Sequence, residues 1–186
     1  MAAWQGRATF TTGGPFHAFN TKSGPFDLSI NAIDLGTMGG TTSEALGIHN
    51  LQGTVGNSAI ATGYQRAFFL PITCGSLGGT ALYQIPALPG VTRTDWSSAA
   101  YGLNRSGLVV GYAQDQNLAD RAFVYSAQTL AVTNLNSYPL AGGQTPASLG
   151  WDLTSAVAVN DAGVMAGYGT LSGRSTCWII YLKREE

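Results

Sequence analysis

The sequence predicts an all-β chain assembled from a repeated unit, and three observations carry the prediction. Charged residues make up only 10% of the chain, against roughly 25% in an ordinary soluble domain, so the charged outer faces of long surface helices are missing. Glycine occupies 25 positions, which favours turns and strand bends over helix interiors. One cadence, NRSGLVVGYA from Asn104, returns as NDAGVMAGYG from Asn160 and, one residue shorter, as NLQGTVGNS from Asn50.

The repeated turn sets the period. Asn with Gly three positions later occurs at Asn50 and Gly53, Asn104 and Gly107, and Asn160 and Gly163, with offsets of 54 and 56 residues. That spacing suits a type I turn, because the Asn side chain bonds back to its own backbone and Gly accepts a positive φ. Short strands are predicted before each turn, over 45–48, 100–103 and 156–159. Apolar strands ending in Gly follow it, over 54–56, 108–111 and 164–167. Gly within a strand predicts a bend or a close backbone approach.

A third strand follows each hairpin: AFFL at Ala67, AFVY at Ala122 and CWIIYL at Cys177. These runs are apolar throughout, as a strand covered on both faces should be. HAF at His17 reads as an earlier copy of this strand, and 6–8 as the tail of a second strand before it, so the chain is expected to begin in mid-repeat. A weaker fourth segment recurs as INAIDLGTMGG from Ile30, LYQIPALPG from Leu82 and LAVTNLNSYPL from Leu130. Four short strands in each unit of about 50–55 residues is the strand count of a propeller blade. The expected architecture is therefore one β-propeller-like domain over 1–186, with a partial unit at 1–29 and three full repeats at about 30–81, 82–129 and 130–182.

Composition narrows the function. Nine basic and ten acidic residues leave a net charge of −1, and no run of Lys or Arg exists to neutralise a phosphate backbone, so nucleic acid is not expected as a partner. No stretch approaches the roughly 18 consecutive apolar residues of a membrane span. The first twenty residues place Gly, Thr and Pro where an export signal needs about 7–15 apolar residues, so no leader is expected in this chain. Two cysteines, Cys74 and Cys177, are too few for a disulfide framework or a zinc cage, and leave the compartment open.

HAF at His17, DLGTMGG at Asp34 and GWDLTSAVAVNDAGVMAGYGTLSG from Gly150, with the turn-and-strand pattern between them, resemble the HAF-repeat proteins, a bacterial family often found among exported proteins. The resemblance covers almost the whole chain. It implies a repeat architecture and an extracellular setting, and brings no catalytic residues with it. The third-strand motif departs from the family's pattern, reading RAF at Arg66 and Arg121 and TCW at Thr176. A half-unit leaves an unpaired sheet edge, which invites pairing with another chain. The favoured expectation is a homodimer in which two half-rings complete a larger propeller of roughly seven or eight blades, ahead of a four-bladed ring closed within one chain.

Catalytic motifs are not found. There is no G-x-S-x-G elbow, P-loop or dinucleotide fingerprint, and His17 and His49 lack ligand spacing, so no catalytic residue, cofactor or metal site is assigned. The binding candidates are of two kinds. His17, Arg66 and Arg121 occupy one position in successive third strands, either as solvated strand residues or as a polar ring that holds an anion. Trp96 beside Asp95, and Trp151 beside Asp152, precede successive turns. They either plug the gap between units or stack on a sugar whose hydroxyls the acids bond.

Residues 115–120 read as a hairpin loop, since they lack the central Gly and terminal Glu of a calcium loop. Cys177 stands where its sister strands have Ala and is expected to be buried, and Cys74 is expected to be a free thiol at a strand end. The favoured function is a non-catalytic repeat module for binding a ligand, possible carbohydrate included, or a partner, or for self-association. The alternative is a glycan-acting hydrolase with acids gathered at the ring centre.

Overall fold

The computed structural model describes residues 5–10, 13–21, 32–50, 52–71 and 82–181. Within them the chain is all-β, arranged as four antiparallel sheets. The first sheet holds β1 (Gln5–Thr9), β2 (Phe16–Thr21) and β3 (Ala32–Asp34). The second holds β4 (Gly39–His49), β5 (Gly53–Ile60), β6 (Gln65–Pro71) and β7 (Tyr83–Gln84). The third holds β8 (Ser98–Leu103), β9 (Leu108–Gln114), β10 (Asp120–Ser126) and β11 (Ala131–Asn134). The fourth holds β12 (Trp151–Val159), β13 (Val164–Leu171) and β14 (Arg174–Tyr181), and is preceded by three single turns of 3₁₀ helix.

Every sheet is a meander, with each strand paired to its neighbours in sequence, and among the described residues none closes on itself. The segments that open units at 30, 82 and 130 supply β3, β7 and β11, and each of these pairs with the strand before it. The hydrogen-bonded sheets thus end with that segment. Cys74 lies outside the described residues.

Two of the three repeated turns form as their residues dictate. Gly107 N–H donates to Asn104 O, and Gly163 N–H to Asn160 O, each at 3.0 Å, while both glycines take positive φ, 76° and 80°. Asn104 Oδ1 accepts from the N–H groups of Ser106 and Leu108, and Asn160 Oδ1 from those of Ala162 and Val164. The first copy departs from the expected Asn50–Gly53 turn: Gln52 N–H donates to His49 O at 3.1 Å, and His49 pairs with Gly53. The hairpin closes earlier there, in keeping with the shortened cadence. The turns are also tied to one another, since Asn104 Nδ2 donates to Asn160 O at 2.9 Å and Gln52 Nε2 to Arg105 O at 2.6 Å.

The strand glycines mark close approach, for a specific reason. Gly56, Gly111 and Gly167 pair with Ala45, Ala100 and Ala156, and each of those residues adjoins a β-bulge in the first strand of its sheet. The bulge pushes a carbonyl, that of Glu44, Ala99 or Ser155, into the space a Cβ would take, and Phe68, Phe123 or Trp178 crowds the site as well. Gly6 holds the same place in the first sheet, where no first strand is present among the described residues. Among the described residues, a Cβ there would lie nearest the Phe19 ring, at 3.1 Å.

This register aligns the third strands residue by residue. Phe19, Phe68, Phe123 and Trp178 each face the strand glycine of their own sheet. Ala18, Ala67, Ala122 and Cys177 come one residue earlier, and Asn20, Phe69, Val124 and Ile179 one later. Odd and even positions serve opposite faces. Phe123 and Tyr125 pack back onto Ala67 and Phe69 of the second sheet, while Ala122 and Val124 pack forward onto Leu153, Met165, Trp178 and Ile180 of the fourth. A third cluster joins Ala18 of the first sheet to Ala45, Phe68 and Leu70 of the second. Each large side chain so buried contributes about 1.5–3 kcal/mol, which makes the three inter-sheet cores the main source of cohesion. Hydrogen bonds reinforce two of them, Ala18 N–H to Ser43 Oγ and Ala67 N–H to Ser98 Oγ, both at 2.8 Å.

The fourth sheet breaks the pattern. From Cys177 to Tyr181 burial alternates along β14, with Trp178 and Ile180 inside and Cys177, Ile179 and Tyr181 outside. Cys177 is therefore exposed, contrary to the expectation drawn from its Ala counterparts. Those alanines are covered by a following sheet, and no described residue plays that part for β14.

Candidate functional site

The predicted site residues fall into separate local arrangements. Trp96, only 5% exposed, sits in the segment entering the third sheet, and the Arg66 guanidinium lies 3.9 Å from its ring centroid. Arg66 also donates to the carbonyls of Trp96 and, at 2.6 Å, Thr94. One face of the indole is thus occupied by a cation that is itself buried. Burial pulls the Arg66 pKa down, offset in part by Tyr64 and Asp95, and the stacked ring and two carbonyls compensate the charge. Asp95 turns to Arg93 in a two-pronged ion pair at 2.6 and 2.7 Å, and that bond holds its carboxyl below the usual range.

The next sheet repeats the arrangement with different chemistry. Arg121 bonds Asp115 Oδ2 at 2.8 Å within its own hairpin and reaches Asp152 at the entrance of the fourth sheet. Burial opposes ionisation of Asp115, but the Arg121 bond and the N–H groups of Asn117 and Ala119 outweigh it and lower its pKa. The loop 115–120 is a hairpin loop organised by this one carboxylate. In the first sheet His17 Nδ1 lies 2.9 Å from Asp34 Oδ2. His17, Arg66 and Arg121 each have their own partners and serve as ties, the two arginines between successive sheets and His17 within its own. Trp151 is half-buried against the core between the third and fourth sheets.

An open apolar groove lies at the fourth sheet. It has a volume of about 640 Å³ and is lined by Leu140, Pro146, Leu149, Trp151, Leu153 and the strand from Cys177 to Tyr181. Its walls are apolar, and Ile179 and Tyr181 remain 63% and 73% exposed. Among the described residues no group of three or more His, Cys, Asp or Glu could hold a metal ion, and no helix is long and apolar enough to cross a membrane.

Compared with known proteins, the chain matches no family model, no curated protein and no solved structure. Its functional reading therefore rests on its own geometry.

Proposed function

We propose that this chain is a non-catalytic, propeller-like repeat module that acts by association, with a second copy docking on the outer face of the fourth sheet. One register position carries the reading. Phe69 and Val124 are each 7% exposed beneath the sheet that follows them, whereas Ile179, their counterpart, is 63% exposed. An apolar strand face left open on the last of four similar sheets marks an interaction surface.

The occupant that fits is a sheet of the same kind, because this is the contact the chain makes with itself three times. The first sheet offers the complementary end: Phe19, counterpart of the fully buried Phe68 and Phe123, is only half-buried there. Gly6 keeps at β1 the clearance that its counterparts use to admit a first strand. Two copies joined end to end in both directions would form a closed two-fold ring, the completed propeller implied by the resemblance to HAF-repeat proteins. The glycan-hydrolase reading gains no such support, since Asp95, Asp115 and Asp152 are each engaged by an arginine.

Cys177 reports on the interface directly. In a Cys74→Ser background, maleimide labelling of Cys177 should slow as protein concentration rises from roughly 1 to 500 μM, the range in which weak dimers assemble. A labelling rate independent of concentration would remove the support for a second copy on this face.

A further inference from the structure

A second pocket, of about 440 Å³, opens between the third and fourth sheets and differs in chemistry from the apolar groove. It is lined by Tyr101, Tyr112, Asp120, Thr154, Ser155 and Tyr168. The repeat itself builds it. Tyr112 and Tyr168 directly follow the strand glycines Gly111 and Gly167, so they hold one position in consecutive sheets. Tyr101 and Thr154 lie in the register shifts of β8 and β12, where an extra residue is turned out of the pairing. The Tyr101 and Tyr112 rings stack with centroids 6.1 Å apart and planes 28° from parallel.

Two observations point to an occupant. Ser155 is 2% exposed, yet its Oγ has no hydrogen-bond partner among the described residues, and a buried hydroxyl left so costs about 1–3 kcal/mol. The pocket also has a definite charge preference. Among the described residues no Lys, Arg or His lines it, and Asp120 does, so an anion finds no counter-charge from them. Two of the phenols are held neutral: burial first, then Tyr112, Tyr168, Asp120 and Glu44, push Tyr101 up to about 12, and burial likewise raises Tyr112. They can both donate and accept hydrogen bonds at neutral pH.

We propose that this pocket binds a neutral saccharide, its ring stacked on the tyrosine faces and its hydroxyls shared among Asp120, the phenols and Ser155 Oγ. An apolar wall with a few convergent polar groups is the usual make-up of a small-molecule site. A quaternary ammonium ion would use the rings and the carboxylate but has no hydrogen-bonding group to offer Ser155. The inference goes beyond the association reading and does not depend on it, because all six residues belong to one chain.

Saturation-transfer NMR and calorimetry on the full chain test it, with glucose, galactose, N-acetylglucosamine and cellobiose as probes and tetramethylammonium as the cationic comparison. At least one saccharide should receive saturation at its ring C–H protons. Asp120→Asn and Tyr168→Ala, both at exposed positions, should each weaken its binding by about tenfold or more without altering the melting temperature. Ser155→Ala should weaken binding less and leave the protein as stable or more so, since the unpaired hydroxyl is gone. Three results would overturn the proposal: no saccharide binds; only tetramethylammonium binds; or a saccharide binds equally well to the Asp120 and Tyr168 variants, which would place its site elsewhere.

Discussion

Replacing Gly111 by Ala should be among the most damaging single-methyl changes available in this protein. The added Cβ would overlap the Ala99 carbonyl and lie 2.9 Å from both Ala100 Cα and Phe123 Cε1. Carbon atoms rest at about 3.5–4.0 Å, so relief needs a backbone movement of the order of an ångström on one side, against a ring that is fully buried on the other. Overpacking of this kind costs about 1–3 kcal/mol and more where backbone must move, so about 3 kcal/mol or above is expected. At about 2–4 °C per kcal/mol for a chain of this size, melting should fall by about 6–12 °C.

Gly6→Ala is the matched control, since among the described residues its Cβ lies nearest the edge of the Phe19 ring, at 3.1 Å, with no carbonyl in its way. That contact is relieved by a small ring shift, and Ala gains about 0.5–1 kcal/mol over Gly in a strand interior, so the net change should stay within about 1 kcal/mol. Thermal and urea unfolding, followed by tryptophan fluorescence at a concentration where the chain is monomeric, measure both. If Gly111→Ala costs less than about 1 kcal/mol, or Gly6→Ala costs as much as Gly111→Ala, the assignment of these glycines to bulge clearance is wrong.

Two further outcomes follow from the same geometry. Asn104→Ala should destabilise by about 2–3 kcal/mol in chemical denaturation, because Asn104 is 1% exposed, holds two N–H groups of its own turn and bonds the next turn through Asn160 O; Asn160→Ala, at an exposed turn, should cost about 1 kcal/mol. The Tyr101 phenol, raised in the folded chain, contributes stability that is complete below about pH 10 and is lost as pH rises from there through about 12, so melting temperature should fall across that window and fall less in Tyr101→Phe.

Much of this construction is legible in the residues, and the failures have physical causes. Asn104 and Asn160 form their expected turns because the side chain, its bonded N–H groups and the glycine all lie within four residues. The strand glycines announce close approach, although only the structure shows that a bulge beside the residue paired with each glycine supplies the obstructing carbonyl. Cys177 is exposed where its Ala counterparts predict burial, because sequence neighbours alone do not show that no described residue covers that face of β14. Arg66 and Trp96 meet across two sheets, as do Arg121 and Asp152, and no local pattern pairs an arginine with a residue some thirty positions on. The tyrosine pocket escaped notice for a related reason: a bulge residue such as Tyr101 leaves the two-residue alternation from which side-chain direction is read.

The most direct test of the association account is the solution mass of the wild-type chain and of Ile179→Asp, by light scattering on a size-exclusion column over a range of loading concentrations. The account predicts that wild type approaches twice the 19.4 kDa chain mass as concentration rises, and that Ile179→Asp stays at the chain mass with unchanged circular dichroism. A wild-type chain that remains monomeric throughout, or an Ile179→Asp variant that dimerises equally well, would contradict it.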